Sequence, residues 1–312
     1  LEYMKLNQPA GRRNITQELG LPERQVRNHL EYLCKKNIIT MDKRGVLLCE
    51  NTQDVTPFLY DFFSRIYSSY EKELALEKKL GINKIIIVHG DCDADPTGLN
   101  NLGVAAENYF AERLGKGGLI AVSGGSTLKA FADNLRMLPR PNYTIVPVRG
   151  AIGASHSCQA NTIALYTSMK LKCNAYQLNI PDVMEKSVME SLANHPDIVA
   201  VTSSYARIDI LLFGVGRPDI LAEHRHLSEE EKEKIFSQNC VAEAVGYYLN
   251  PAGEILQKSS GIGLGVTDFK RIPTKIAIAG GAKKAEAIKA LCSFARDITL
   301  ITDEGCADAL LK

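Results

Sequence analysis

The chain has no tryptophan, and Tyr and Phe together make up only 7% of its 312 residues. No apolar run approaches the roughly 20 residues that a membrane-spanning helix needs, so no membrane partner is expected. Close cysteine pairs are absent too: the eight cysteines, at 34, 49, 92, 158, 173, 240, 292 and 306, form no CxxC. That spacing argues against a zinc knuckle or a disulfide framework, and for free thiols in a reducing cytoplasm. There is no HExxH and no GxxxxGK[ST], and Gly214-Val215-Gly216-Arg217-Pro218-Asp219 lacks the third glycine of a dinucleotide fingerprint. Neither a metal nor a cofactor is expected. The opening, Leu1-Glu2-Tyr3-Met4, is not a signal peptide, and with no initiating Met we expect an upstream piece. At 45% hydrophobic and 23% charged, the composition is that of an ordinary globular protein, and its length suggests two domains.

Net charge is +1, but it is unevenly spread. Residues 1–50 hold nine Lys/Arg against six acids, while the remainder is slightly acidic. In this basic head Asn14 is placed to cap a helix over 15–19 that stops at Gly20, an αL position. Pro22 then suits the first turn of a second helix with Val26, Leu30 and Leu33 on one face. The opposite face carries Arg24, Gln25, Arg27 and Asn28. Residues 38–40 and 46–48 flank the turn Asp42-Lys43-Arg44-Gly45 and read as a hairpin. Two helices and a hairpin in this order predict a winged helix-turn-helix. Arg and Gln or Asn on the second helix have the chemistry to read base edges, while Arg12, Arg13, Lys43 and Arg44 meet phosphates. Operator DNA is the expected partner; a protein-interaction module with solvated charges is the alternative.

Residues 51–82 read as a linker, with Val55, Leu59, Phe62, Ile66, Tyr70 and Leu74 spaced as an amphipathic helix. It is expected either to pack on the following domain or to form a homodimer or homotetramer contact. From 83 to 312 apolar runs alternate with helical segments. The expected strands are 84–88, 119–122, 144–148, 175–178, 208–213, 275–279 and 299–302. This predicts an α/β domain, a doubly wound and mostly parallel sheet, in which ligands collect at the carboxyl ends of strands.

Two of those ends share a design. Residues 119–122 run into Ser123-Gly124-Gly125-Ser126-Thr127, and 275–279 run into Gly280-Gly281-Ala282-Lys283-Lys284. Glycine turns at helix starts expose N–H groups to an anion; Ser126 and Thr127 add hydroxyls, and Lys283 or Lys284 adds charge. Arg149, after a third strand, offers a fork for phosphate. Gln159, Asn161 and Glu243 are candidates for sugar hydroxyls, though Gln159 and Asn161 also suit a helix start. Asp91, Asp93 and Asp95 have calcium-loop spacing, but Pro96 replaces the required Gly and Leu102 the bidentate acid, so calcium is rejected. Asp95 is expected to shape the turn before Pro96.

In order along the chain, GRR at 11–13, LG at 19–20, GD at 90–91, AVSGGST at 121–127, VPVRG at 146–150, QANT at 159–162, GVG at 214–216, EAVGYY at 243–248, AGGAKKAEAI at 279–288 and TDEG at 302–305 resemble the SorC/DeoR-type sugar-responsive bacterial repressors. The resemblance implies a winged helix-turn-helix joined to a sugar-binding domain with the fold of sugar-phosphate isomerases and deaminases. It implies a repressor of glycolytic genes controlled by a phosphorylated sugar, fructose 1,6-bisphosphate above others. The effector residues it implies are Ser126 and Thr127 with their glycines Gly124 and Gly125, then Arg149, Gln159, Glu243 and Lys284. The competing reading is a sugar-phosphate isomerase or amino-sugar-phosphate deaminase on the same fold, with Asp91 or Glu243 as base. The fused basic head argues against it.

Overall fold

The computed structural model describes Met4 and residues 7–49, 70–151, 157–224 and 229–312. The chain divides into two compact units, residues 1–63 and 64–312.

In the first unit, helices Arg12–Leu19 and Glu23–Lys35 pack Ile15, Val26 and Leu30 against Ile38, Ile39 and Val46 of a hairpin, β1 (Ile39–Asp42) and β2 (Gly45–Leu48). Gly20 ends the first helix in the left-handed region, at φ 59°. The helix start differs from expectation. Gly11 holds the N-cap position and accepts the Ile15 N–H, so Asn14 lies inside the first turn and caps nothing. Pro22 is likewise one position further out, as the N-cap whose carbonyl receives Gln25 and Val26.

The second unit is built on seven parallel strands: β3 (Lys84–Val88), β4 (Gly118–Val122), β5 (Tyr143–Pro147), β6 (Asn174–Ala175), β7 (Ile208–Gly214), β11 (Thr274–Ile278) and β12 (Thr299–Asp303). Their order is β3-β12-β11-β7-β4-β5-β6. Successive strands run outward from β4 to β6, then outward the other way from β7 to β12, so the direction of winding switches between β4 and β7. Alternation of buried residues shows both faces covered. Ala121, Leu211, Phe213 and Ala277 join one core with Leu76, Ile288 and Leu310. Their neighbours Ile120, Leu212 and Ile278 are equally buried on the other face, as are Leu102, Phe110, Phe131 and Ile163 of the helices Gly98–Arg113, Ser126–Asn134 and Ala160–Leu171.

Two elements depart from the sequence reading. The strand expected at 175–178 is only two residues long. Beyond it the Asn161 side chain brackets Leu178, donating to its carbonyl at 3.0 Å and accepting its N–H at 2.9 Å, in place of a ladder. A small antiparallel sheet of β8 (Ala242–Ala244), β9 (Tyr247–Leu249) and β10 (Ile255–Lys258) was not anticipated. Its tight turn uses Val245 and Gly246, both at positive φ (46° and 94°), and a β-branched residue there gives no turn signal.

The linker stripe is described only in part. Val55, Leu59, Phe62 and Ile66 lie outside the described residues. In the described helix Tyr70–Leu80, Tyr70 and Leu74 are exposed and Leu76 is the buried apolar residue. The inward positions next to it are acidic for a reason. Edge strand β3 has unpaired N–H groups, and Glu77 and Glu73 accept them from Ile85 (3.0 Å) and Ile87 (2.9 Å). Burial pushes the Glu73 carboxyl above its usual range, despite the Ile87 bond. A raised carboxyl pKa means that ionised Glu73 costs stability above its folded pKa, and that this cost vanishes below the ordinary carboxylate pKa. Glu73→Gln should therefore raise the melting temperature at pH 7, and thermal melts should show the gain shrinking to nothing near pH 4.

Candidate effector site and DNA-binding face

In open α/β sheets a ligand crevice is expected at the carboxyl edge where the winding switches, here between β4 and β7. On one side β4 passes through Ser123 and Gly124 to Gly125, which caps the helix Ser126–Asn134 at φ 120°. Among the described residues no side chain caps that helix and a Cβ at Gly125 would meet nothing within 4 Å; Ser126 is exposed. Gly125 donates to the Cys158 carbonyl at 2.8 Å, and a Cβ on Gly124 would lie 2.7 Å from the same oxygen. Glycine at both positions thus lets this corner press against the start of helix Ala160–Leu171, whose N-cap is Gln159. Two helix N-termini with their positive dipole ends converge here. Thr127 departs from its expected role. It is buried, and its hydroxyl donates to the Ile278 carbonyl at 3.0 Å, so that proton is not offered to a ligand. Asn161 is likewise occupied in bracketing Leu178.

The Thr127 bond leads across the crevice, because Ile278 ends β11 and the second corner follows at once. There Gly281, at φ 96°, precedes the turn Ala282–Lys284 and the helix Ala285–Phe294. Asp303, wholly buried, accepts N–H groups from Gly281 and Cys92, each at 2.8 Å, on one oxygen. Its other oxygen takes the Cys306 N–H at 2.9 Å and caps the helix Glu304–Leu311. Asp93 accepts the Lys283 N–H at 2.8 Å. The Lys283 side chain is exposed, whereas Lys284 is half-buried. Burial pushes the Lys284 ammonium below the usual lysine range, against the pull of Cys92, Cys306, Asp93 and Asp303. Among the described residues it makes no hydrogen bond or ion pair. Burying a cation without a hydrogen-bonded partner carries a free-energy cost that a bound anion would offset. Asp95 shapes its turn as expected, accepting the Thr97 N–H and hydroxyl at 2.9 and 2.7 Å.

Arg149 and Glu243 come together, but not as a free fork and a free acceptor. Arg149 is buried and donates from Nε to Asp182 and from Nη1 to Glu243, the latter at 2.6 Å. Glu243 also accepts the Gly246 N–H at 2.7 Å, and its backbone pairs with Gly216 just past β7. The guanidinium therefore joins the parallel sheet to the antiparallel one. Asp182 went unread in the sequence because a lone Asp after Ile180-Pro181 carries no motif.

In the first unit Arg24, Gln25, Arg27 and Asn28 are all exposed on one helix face. Arg27 makes only a loose, exposed pair with Glu23, at 3.7 Å. Arg12, Arg13, Lys43 and Arg44 line one shallow groove between the first helix and the wing. Arg44 is tied to Asp42 at 2.8 Å, which leaves Lys43 as the wing cation without an ion pair among the described residues.

Against this geometry the family relationships are clear. Residues 64–312 match the family model of a sugar-binding domain, and residues 1–63 match the CggR N-terminal DNA binding domain. The chain belongs to this family of transcription regulators, which pairs a DNA-binding head with a sugar-binding domain, and its relatives are named as regulators rather than as isomerases or deaminases. It is 31% identical to the central glycolytic genes regulator of Bacillus subtilis and 33% identical to that of Priestia megaterium. Both alignments span 100% of this chain and 92% of the relative. Among solved structures, a SorC family transcriptional regulator from Enterococcus faecalis is similar at TM-score 0.73 and 32% identity, over 78% of this chain and 100% of that one. The full-length sorbitol operon regulator from Klebsiella pneumoniae shares the fold at TM-score 0.73 and 18% identity, over 99% and 96%. No helix among the described residues is long and apolar enough to cross a membrane.

The Arg149 network gives a stability test. Truncating the cation strands two buried carboxylates, which costs on the order of 3–5 kcal/mol. Urea denaturation of Arg149→Ala should show a loss of that size. Arg149→Lys should recover little, because one ammonium cannot reproduce the two-armed geometry.

Proposed function

We propose that the chain is a cytoplasmic repressor of glycolytic genes that releases or remodels its operator contacts when fructose 1,6-bisphosphate binds at the rim of the sheet. The observation that carries this reading is the pair of glycine-opened corners, at Gly125–Thr127 and Gly281–Lys284, joined through Thr127 and Ile278 across the switch point. Two corners suit a ligand with two phosphates. The naming of relatives as central glycolytic genes regulators supports the choice of target genes.

In this reading the Ser126 hydroxyl and the backbone N–H groups that open its helix after Gly125 receive one phosphate, with Gln159 on the neighbouring helix start. Lys284, rather than the exposed Lys283, receives the other. Arg149 and Glu243 hold the wall of the site and meet the ligand from that paired state. Residues 1–50 read operator DNA: Arg24, Gln25, Arg27 and Asn28 face the bases, and Arg12, Arg13, Lys43 and Arg44 face phosphates. The effector domain takes in helix Tyr70–Leu80, which packs on its core, as well as residues 83–312, and the working form is a homodimer or homotetramer. The sugar shifts the equilibrium only by binding one arrangement of the oligomer better than another.

Two substitutions separate the roles. A hydrogen bond to a charged group contributes about 1.5–3 kcal/mol, so Lys284→Ala should weaken fructose 1,6-bisphosphate binding by roughly ten- to a hundredfold in calorimetry while operator affinity is kept. Arg27→Ala should reduce specific operator affinity by about 1–3 kcal/mol in gel-shift titrations, with sugar binding unchanged. Loss of both activities in either variant would contradict the division of labour.

A further inference from the structure

The two corners have the same backbone design, yet they differ in what occupies them. Among the described residues, a Cβ at Gly125 would meet nothing within 4 Å, and no side chain caps the helix that follows. At Gly281 the equivalent position is filled. The Asp93 carboxylate accepts the Lys283 N–H at 2.8 Å, and a Cβ on Gly281 would lie 2.8–2.9 Å from its three carboxyl atoms. Glycine at 281 is therefore what lets the carboxylate in.

The loop is shaped to deliver that group. Cys92 is anchored by its N–H to buried Asp303, and the Asp93 N–H is held by Asp91 at 2.8 Å. The turn is closed by the Ala94 and Asp95 N–H groups donating to the Asp91 carbonyl, at 3.0 and 2.9 Å, while the Asp93 side chain itself is exposed. Lys284, close enough to feel its charge, makes no ion pair with it.

We propose that Asp93 is an internal competitor for the second corner, a carboxylate that stands where a ligand phosphate must go and so sets which ligands are accepted. This rests on reading that corner as a phosphate seat. A neutral sugar brings no charge with which to displace Asp93. A phosphate brings up to two negative charges and three acceptor oxygens, enough to take both the Lys283 N–H and the Lys284 ammonium. The competitor thus makes the site selective for phosphorylated sugars over free ones, and occupancy of the corner is coupled to release of the 90–95 loop.

The test is calorimetry on the full chain with fructose 1,6-bisphosphate, inorganic phosphate and fructose as probes. Asp93→Asn keeps an acceptor but removes its charge, which should tighten fructose 1,6-bisphosphate binding by about fivefold and inorganic phosphate in the same direction. Asp93→Ser, which also withdraws the acceptor, should tighten it at least as much. Asp95→Asn removes the same charge two residues along, in a turn that touches neither corner, and should leave affinity unchanged. Equal or weaker binding by both Asp93 variants overturns the competitor while leaving the effector site standing. Equal tightening by Asp95→Asn would assign the effect to general electrostatics and overturn it as well. If the unaltered chain and every variant fail to bind any phosphate probe, the reading of the site itself falls.

Discussion

Asp303 has no exposed surface, and its two carboxylate oxygens are matched by three backbone N–H groups from three separate stretches of chain. One belongs to the loop after β3, one to the turn after β11, and one to the helix that follows β12. These strands are neighbours in the sheet, so a single anionic group ties their three ends into one knot. An unpaired carboxylate in that position would be costly, and the loops that satisfy it are thereby fixed in shape. Glycines at 280 and 305 leave room for it: side chains there would run into Asp303 and Asp91. The second corner is a by-product of this knot, since it is the turn that Asp303 holds open.

The opposite end of the crevice is held by charge pairing rather than by backbone donors. Arg149 lies between Asp182 and Glu243, and Glu243 reaches the tight turn at Val245-Gly246. Such a buried network contributes little net stability but fixes geometry, because no partner can leave without stranding another. The crevice therefore has a wall that is locked by mutual charges, a corner that is open, and a corner that is closed by a removable side chain. If the proposed ligand binds there, that asymmetry makes its binding a replacement of internal contacts at one end and simple docking at the other.

Much of this was legible in the sequence, for specific reasons. The β-branched runs and the glycine turns after two of them announced a parallel sheet with glycine-opened turns at two strand ends. Gly20 and the apolar spacing of Val26 and Leu30 announced the head. Side-chain roles were harder, because residue type does not reveal a partner distant in sequence. Thr127 was read as a ligand donor, but its helix turns the hydroxyl toward Ile278. Arg149 was read as a free fork, but Asp182 and Glu243, 33 and 94 residues away, hold it. The Asp91–Asp95 run shows its spacing in the sequence, but the placing of Asp93 against Gly281 needs the strand order to be seen. The β8–β10 sheet escaped because its turn is built on Val245, which offers no turn signature.

The most direct measurement is a crystal structure of the full chain with fructose 1,6-bisphosphate. The account predicts one phosphate on the N–H groups beside Gly125 and Ser126, and the other within hydrogen-bond reach of Lys284, with the sugar spanning the end of β7. A ligand seated elsewhere, or bisphosphate density with both corners vacant, would contradict it.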